Sequence, residues 1–244
     1  MNKTQLISFQ NADELVRIVA AAWLKEIAAA NQAGQPHCVA LSGGRITLKF
    51  FAAVIAMSRA QNVSLANVHF FWADERCVAP DDQDSSFGAA NEAFFRPLGI
   101  ALDKIHRVRG ELSPERAAEE ANAEIKRIVP LNAAGQPVLD LIFLGMGEDA
   151  HVASLFPQES EAGQANPAVY RVITNSPKPP PNRVTLGYPT IAAAKNVWVL
   201  ASGAGKEAAL RDSVQPGAIT PLGRVLQMRS QTRVFTDIKL SQQG

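Results

Sequence analysis

A short apolar run passes directly into glycines and acids in the segment Leu139-Asp140-Leu141-Ile142-Phe143-Leu144-Gly145-Met146-Gly147-Glu148-Asp149-Ala150-His151. Residues 139–144 have the length of a strand, and 141–144 lack the polar–apolar alternation of a half-exposed strand. Such a run is typical of a strand buried on both faces, as in a mainly parallel sheet. The segment therefore predicts a buried strand that ends in a polar loop.

The rest of the chain alternates such strands with helical patterns. Further apolar runs, rich in β-branched and aromatic residues, lie at 38–41, 68–72 and 197–200. Apolar residues recur at helical spacing over 15–27, 48–57, 89–95 and 114–129, with Asn11 or Asp13 and Ser113 as caps. Weaker strand patterns lie at 6–9, 105–108, 170–174, 183–186 and 234–236. This order predicts an α/β fold: a mainly parallel, Rossmann-like open sheet with helices on both faces.

Composition and charge narrow the functional classes. The chain has 244 residues, of which 47% are hydrophobic and 19% charged, and its formal net charge is +1. This composition is globular, and the sequence shows no long linker and no internal repeat, so we predict a single domain over residues 1–244. The balanced charge argues against general electrostatic binding to nucleic acid or to an anionic membrane surface, whereas binding of a small anionic ligand is compatible with it.

Membrane, secretory and metal-binding roles are not indicated. No apolar stretch reaches the ~18–20 residues that a membrane span needs, and the N-terminus has no secretory pattern. Cys38 and Cys77 are too few for a disulfide scaffold, and no Cys/His cluster has metal-ligand spacing. We therefore expect a cytoplasmic protein that binds no metal. We also expect it to be a monomer or a small homo-oligomer.

A polar loop follows each of the four strong strands. These loops are 42–45, 74–76, 145–151 and 202–206. Because the carboxyl ends of parallel strands share one edge of a sheet, where open α/β sheets bind their ligands, we expect the four loops to form one site.

Two of the loops have features of an anion site. Ser42, Gly43 and Gly44 precede a helix, so backbone N–H groups and the helix dipole can hold a phosphate. Lys206, in a second glycine-bearing loop, would add a positive charge. The alternatives are a tight strand-to-helix turn and an exposed lysine. Neither a Walker motif nor the three-glycine Rossmann spacing is present, which disfavours a nucleotide.

His151 is the candidate general base, because an imidazole takes up and returns a proton near neutral pH. Glu148 or Asp149 could fix its tautomer, and Arg76 is suited to a carboxylate or a phosphate. The sequence pairs no cysteine nucleophile with His151 and has no Gly-x-Ser-x-Gly elbow, so proton transfer to water or along a phosphorylated sugar is indicated. The residues interpreted as structural are His37, His69, His106, Asp81, Asp82 and Asp84.

Several segments together resemble the 6-phosphogluconolactonases, in the superfamily that also contains the glucosamine-6-phosphate isomerases. The most specific is Leu144-Gly145-Met146-Gly147-Glu148-Asp149-Ala150-His151-Val152-Ala153-Ser154-Leu155-Phe156-Pro157. The others lie at 41–44, 74–78, 84–87, 91–94, 176–186 and 203–206, so that the resemblance spans nearly the whole chain. The tail after His151 favours the lactonases, because the isomerases usually continue towards Ala-Phe-Asn.

The resemblance implies hydrolysis of 6-phosphoglucono-δ-lactone to 6-phosphogluconate in the oxidative pentose phosphate pathway, without a metal or organic cofactor. It implies that His151 is the base, oriented by Asp149 or Glu148, and that Arg76 positions the substrate. The implied phosphate site consists of Ser42, Gly43, Gly44, Arg183 and Lys206, with Lys178 at the rim. The oxyanion donors would be Arg76 or backbone N–H groups of the loop that contains Gly145 and Gly147.

Two departures from the family pattern and two alternative functions stay open. Arg45-Ile46-Thr47 stands where the family commonly has Ser-Thr-Pro, so Arg45 could bind the phosphate itself. Ala150 replaces a glycine, at a cost of roughly 1 kcal/mol or more if φ is positive there. An isomerase or deaminase of an amino-sugar phosphate would use Asp74 as its base. A non-catalytic sugar-phosphate sensor would bind without turnover.

Overall fold

Six parallel strands form the central sheet of the protein. The computed structural model describes residues 3–240. In spatial order the strands are β1 (Lys3–Ser8), β9 (Gln231–Thr236), β8 (Asn196–Ala201), β5 (Leu141–Gly145), β2 (His37–Leu41) and β3 (Val68–Trp72). All residues of β2 are buried, and because neighbours along a strand point to opposite faces, both faces of the sheet are covered. This arrangement confirms the predicted mainly parallel α/β fold.

Helices connect these strands. They are α1 (Ala12–Gln32), α2 (Arg45–Gln61), α3 (Ser86–Ala90), α4 (Arg96–Leu98), α5 (Pro114–Ile128), α6 (Glu161–Gln164), α7 (Tyr188–Ala193), α8 (Glu207–Ser213) and α9 (Pro221–Gln227). A π-helical turn (Asn91–Phe95) joins α3 to α4, and a 3-10 turn covers Leu102–Lys104. Asn11 and Ser113 cap α1 and α5 with their side chains, as predicted. None of the helices within residues 3–240 is long and apolar enough to cross a membrane.

A single residue separates β3 from the first strand of a second, antiparallel sheet, which has three strands. In spatial order it contains β4 (Asp74–Arg76), β7 (Arg183–Leu186) and β6 (Tyr170–Ile173). The weaker strand patterns correctly predict β6 and β7, but the prediction of a loop at 74–76 is wrong. The three side chains of β4 are charged, and its partner strand is remote in sequence, so apolar patterning gives no signal for it.

The prediction of a strand at 105–108 is wrong as well. Ile105 forms a single bridge with Phe70, and the backbone N–H of His106 donates to the Phe70 carbonyl at 2.8 Å. The side chain of His106 hydrogen bonds to His69 at 2.9 Å. A single backbone bridge and side-chain bonding therefore hold this segment, and its backbone continues as a loop.

The central sheet opens between the carboxyl ends of β2 and β5. Their ladder consists of the pairs Val39↔Leu141 and Ala40↔Ile142. Beyond these pairs the Ser42 hydroxyl donates to the Phe143 carbonyl at 2.8 Å. The chain leaves β2 towards β3 on one side, whereas it leaves β5 towards β8 on the other. Such a reversal of strand order is where open α/β sheets form a ligand crevice.

Aromatic packing fixes the strands that lead to this opening. The ring centroid of Trp23 on α1 lies 5.2 Å from that of Phe143 on β5 and 5.6 Å from that of Phe50 on α2. Trp23 has no exposed surface. Its burial therefore joins α1, α2 and β5 in one packed unit.

Candidate active site

A cleft of about 660 Å³ lies at this edge of the sheet and collects residues from all four predicted loops. Its polar side chains are Ser42, Arg45, Lys49, Asp74, Arg76, Glu148, His151, Lys178, Arg183, Ser202 and Lys206. Gly43, Gly44, Gly145, Gly147 and Gly203 line it as well. The structure thus brings together every predicted site residue except Asp149, which contacts His151 from outside the lining.

Asp149 holds one side of the His151 ring. Nδ1 of His151 lies 2.5 Å from Asp149 Oδ1, and the ring centroid of Phe156 lies 4.9 Å from that of the imidazole. Burial raises the pKa of Asp149, but the hydrogen bond to His151 and the nearby charges of His151 and Lys178 outweigh it, so this pKa is below its ordinary value. An ionised Asp149 accepts a hydrogen bond from the Nδ1–H group, which leaves the lone pair of the neutral ring on Nε2.

The turn that carries His151 is tight. The backbone N–H of Gly147 donates to the His151 carbonyl at 2.9 Å. A Cβ on Gly147 would lie 2.0 Å from His151 Nδ1, so glycine leaves room for the imidazole. Ala150 has a φ of +63°, which is the conformation that makes the loss of the family glycine unfavourable by roughly 1 kcal/mol.

Asp74 on β4 and Arg183 on β7 form a buried wall of the cleft. Asp74 Oδ2 accepts from the Ser154 hydroxyl at 2.7 Å and lies 3.8 Å from Arg183 Nη1. The Arg183 guanidinium also donates to the carbonyls of residues 178–180 at 3.1–3.2 Å. Arg183 therefore holds the loop that brings Lys178 to the cleft, and little of its donor capacity is left for a ligand.

Arg76, two residues beyond Asp74 on β4, also lines the cleft. Its Nη1 donates to the backbone carbonyl of Asp84 at 2.7 Å. Asp84 belongs to the turn predicted for it, since its N–H donates to Asp82 Oδ1 at 2.8 Å. The turn thus fixes one side of the Arg76 guanidinium.

Positive charge gathers where α2 and α8 begin. Arg45 is the first residue of α2, after Gly44 with a φ of +117°, and Lys206 directly precedes α8. Burial lowers the pKa of Lys206, the charge of Arg45 lowers it further, and Glu148 acts in the opposite direction. The charge of Glu148 therefore acts on the pKa of Lys206, whereas Asp149 is hydrogen bonded to His151. The first turn of α2 contains no acidic residue, so its N–H groups and the two cations suit an anion.

Sequence reasoning missed two polar residues of this region. Lys49 lines the cleft, and its Nζ lies 2.7 Å from Asp13 Oδ1. Helical spacing gave a signal for Lys49, because it follows Arg45 by one turn of α2. Asp237 accepts from the Ser202 hydroxyl at 3.0 Å and the Gly203 N–H at 3.3 Å. Its position directly after β9, at the same sheet edge, was the corresponding signal.

The other histidines have partners outside the cleft. Nε2 of His37 accepts from Trp23 Nε1 at 3.1 Å, and His69 Nδ1 lies 2.9 Å from His106 Nε2. These contacts match the structural role predicted for them. In the part of the chain that the structure describes, no three or more His, Cys, Asp or Glu side chains are grouped to hold a metal ion.

The segment that contains the whole cleft matches a known protein family. A model of the family described as glucosamine-6-phosphate isomerases/6-phosphogluconolactonase matches residues 10–235. The chain belongs to this family. Membership in the glucosamine-6-phosphate isomerase/6-phosphogluconolactonase family confirms the resemblance seen in the sequence.

Relatives in this family are similar over most of the chain. The 6-phosphogluconolactonase of Aggregatibacter actinomycetemcomitans is 31% identical over 206 residues, which cover 84% of both proteins. The chloroplastic 6-phosphogluconolactonase 3 of Arabidopsis thaliana is 32% identical over 194 residues. These cover 77% of this chain and 59% of the plant protein, so the chain spans about three fifths of that relative. The crystal structure of 6-phosphogluconolactonase from Thermotoga maritima is 26% identical with a TM-score of 0.82, covering 96% of this chain and 99% of that chain.

Proposed function

We propose that this protein hydrolyses 6-phosphoglucono-δ-lactone to 6-phosphogluconate, a step of the oxidative pentose phosphate pathway. The observation that carries the proposal is the His151–Asp149 contact of 2.5 Å beside a cleft that also contains Arg45 and Lys206. A base and an anion site thereby share one cleft. The relatives named 6-phosphogluconolactonase support the same substrate.

His151 activates the water that attacks the lactone. Nε2 takes a proton from the water, and the hydroxide adds to the C1 carbonyl to give a tetrahedral intermediate. The imidazolium then returns this proton to the ring oxygen as the C1–O bond breaks, which yields the open carboxylic acid. Asp149 stabilises the imidazolium through the Nδ1 hydrogen bond.

The phosphate of the substrate binds where α2 and α8 begin. Arg45 and Lys206 supply positive charge, and Ser42, Gly43 and Gly44 bring the chain to the amino end of α2. Burial lowers the pKa of Lys206, and repulsion from the charge of Arg45 lowers it further. A dianionic phosphate would remove this repulsion. Lys178 stands at the rim of the same cleft.

Arg76 is the donor that we assign to the oxyanion. The backbone N–H groups of Gly147 and Ala150 donate to the His151 and Gly147 carbonyls at 2.9 and 3.1 Å, so they are engaged within the turn. The Arg76 guanidinium lines the cleft and uses Nη1 for Asp84, which leaves Nη2 for the substrate. Contact with the carbonyl oxygen strengthens as charge develops on it.

The test is the first-order loss of freshly prepared 6-phosphoglucono-δ-lactone, followed by acid release in weak buffer. An enzyme-free blank runs beside it, because the lactone opens spontaneously. We expect the wild-type protein to accelerate the reaction and His151→Ala to reduce that acceleration by about 10²–10⁴-fold. No acceleration at micromolar wild-type protein would refute the proposal, and a fully active His151→Ala protein would refute the role of His151.

The isomerase or deaminase alternative has one residue in its favour. Asp74 lines the cleft, as a proton-shuttling carboxylate would. Its Oδ2 is engaged by Ser154 and lies near Arg183, so only Oδ1 is left for a shuttle. We therefore favour lactone hydrolysis over the isomerase or deaminase function. Release of ammonia or fructose 6-phosphate from glucosamine 6-phosphate would reverse this order, and tight binding of sugar phosphates without turnover would indicate a sensor.

We also propose a cytoplasmic location and a small phosphorylated lactone as the binding partner. The proposal also includes a monomer or small homo-oligomer without a cofactor. Size-exclusion chromatography with light scattering gives the oligomeric state directly.

A further inference from the structure

Glu75 is a buried carboxylate between two residues of the cleft. Along β4 it stands between Asp74 and Arg76, and because side chains alternate along a strand, it points to the opposite face. Only 2% of Glu75 is exposed. Its carboxylate is thus hidden from solvent and faces away from the substrate.

Among residues 3–240, every hydrogen-bond partner of this carboxylate is a donor from β4 or from the start of α3. Oε1 accepts from the backbone N–H of Arg76 at 2.7 Å and of Ser86 at 2.8 Å. Oε2 accepts from the backbone N–H of Phe87 at 2.7 Å and from the Ser85 hydroxyl at 3.4 Å. A single side chain therefore joins the strand of Arg76 to the helix that follows the turn.

Glu75 forms no direct ion pair in the part of the chain that the structure describes. None of the ion pairs found within residues 3–240 involves it. Burial raises the pKa of Glu75, while the N–H groups of Phe87, Ser86 and Arg76 act to lower it. Burying a carboxylate without an ion pair is unfavourable, but a neutral glutamine could not replace it, because its NH₂ group cannot accept from these donors. This indicates that the bonds themselves, and the geometry they impose, are needed.

The turn that Glu75 holds is the one that holds Arg76. Ser85, Ser86 and Phe87 follow Asp84 directly, and the Asp84 carbonyl accepts from Arg76 Nη1 at 2.7 Å. Nε of Arg76 is buried without a hydrogen-bond partner among the described residues, so Asp84 is the contact that orients the guanidinium. Glu75 thus fixes Arg76 at its backbone N–H and, through the turn, at the far end of its side chain.

We propose that Glu75 is a positioning residue for Arg76, and that its buried carboxylate sets the direction of the guanidinium towards the substrate. The inference rests on the proposed function, in which Arg76 contacts the lactone carbonyl. Asp74 and Arg76 face the ligand, whereas Glu75 between them holds this wall of the cleft in place from the opposite face of the strand.

The test compares Glu75→Gln with Arg76→Lys in the lactone assay. In Glu75→Gln an amide NH₂ replaces one acceptor and meets a backbone N–H, so the turn shifts. We expect kcat/KM to fall about tenfold or more, since a misplaced binding group typically causes such losses. The loss should divide between KM and kcat in the same proportion as in Arg76→Lys. In the Arg76→Lys background, Glu75→Gln should change kcat/KM by less than about twofold, because these residues act in series.

A matched control is Glu92→Gln, the same change at an exposed glutamate that pairs with Arg96. It should keep the wild-type kcat/KM. If Glu75→Gln does not fold, as judged by circular dichroism, Glu75→Asp replaces it. That variant keeps the charge, is one methylene shorter and therefore withdraws from Ser86 and Phe87, with the same expected losses.

Two results overturn the inference while leaving the proposed function intact. One is an active wild type with a Glu75 variant within twofold of its kcat/KM. The other is a loss of equal size in the wild-type and Arg76→Lys backgrounds, which would show that Glu75 acts without Arg76. A wild type that does not accelerate lactone opening overturns the proposed function, and the inference with it.

Discussion

Gly147 and His151 share a space that only one side chain can occupy. A Cβ at position 147 would lie 2.0 Å from His151 Nδ1 and 2.6 Å from Asp149 Oδ1. Gly147→Ala therefore displaces the imidazole, and a displaced base lowers kcat by about 10²-fold. Because a side chain can move aside, the melting temperature should change little. Activity and thermal melting together check this, and kcat within fivefold of wild type would contradict it. In His151→Ala, adding Gly147→Ala should cause no further loss of activity, because no ring remains to be displaced.

Ala150 lies in the same turn with a φ of +63° and 1% exposure. A β-branched side chain is strained in this conformation and lacks space, so Ala150→Val should lower the free energy of unfolding by about 2 kcal/mol or more. Ala150→Gly relieves the strain but removes a buried methyl group, so its change should stay within about 1 kcal/mol. Urea unfolding of both variants measures the difference, and equal stability of Ala150→Val and wild type would exclude strain at this position.

Most individual site residues could be predicted because they follow strands as contiguous polar segments. His151, Arg76 and Lys206 were found in this way. Lys49 was missed, because its position one turn after Arg45 indicates the cleft only when the helix and the side of Arg45 are known. Asp237 directly follows β9, but its bond to Ser202, like the bonds of Glu75 to backbone N–H groups, depends on the folded chain.

At the level of whole elements, apolar patterning found the strands of the central sheet and missed β4. Strands β2, β5 and β8 are buried on both faces, so consecutive residues along them are apolar and form recognisable runs in the sequence. By contrast, β4 has only charged residues, and its pairing with β7 holds it in place. Hydrogen bonding between remote segments leaves no local pattern, which is why neither β4 nor a separate second sheet was predicted.

The end of α7 depends on one arginine that no pattern marks. Arg229 Nη1 donates to the carbonyls of Ile191, Ala192 and Ala194 at 2.8–2.9 Å, and only 6% of the residue is exposed. Removing it leaves these carbonyls without that donor, so Arg229→Ala should lower the free energy of unfolding by about 2–4 kcal/mol. Urea unfolding measures this, with the exposed Arg17→Ala as a control within about 0.5 kcal/mol. A loss below 1 kcal/mol would mean that water replaces the guanidinium.

Over the whole molecule, net charge conceals how charge is distributed. The chain carries a formal charge of +1, yet Arg45, Lys49, Lys178 and Lys206 all line one cleft. Elsewhere acids and bases pair locally, as along α5, where Arg116 contacts Glu119 and Glu120. Overall composition could therefore argue against a polyanionic partner, while the small anion site became visible only through the loops that form it.

Three histidines make the stability of the whole protein depend on pH. Burial lowers the pKa of His37, His69 and His106. Lys104 lowers the pKa of His69 further, whereas the hydrogen bond that His106 donates to Glu124 acts to raise the pKa of His106. Protonation of His37 on Nε2 would also deprive the Trp23 N–H of its acceptor. Each histidine is therefore more easily protonated in the unfolded chain.

We expect the free energy of unfolding to fall as pH drops below about 6.5, where unfolded histidines bind protons that folded ones do not. Because an unfolded histidine is half protonated near pH 6.5, each adds up to about 1 kcal/mol between pH 6.5 and 5.5, and three add at most about 3 kcal/mol. Burial raises the pKa of Glu26 and Glu75, which favours the folded state on acidification and reduces this slope. Urea unfolding at pH 7.5, 6.5 and 5.5 measures it. His37→Gln, whose amide oxygen accepts the Trp23 N–H without titrating, should reduce the slope by about a third, and a pH-independent stability would contradict the argument.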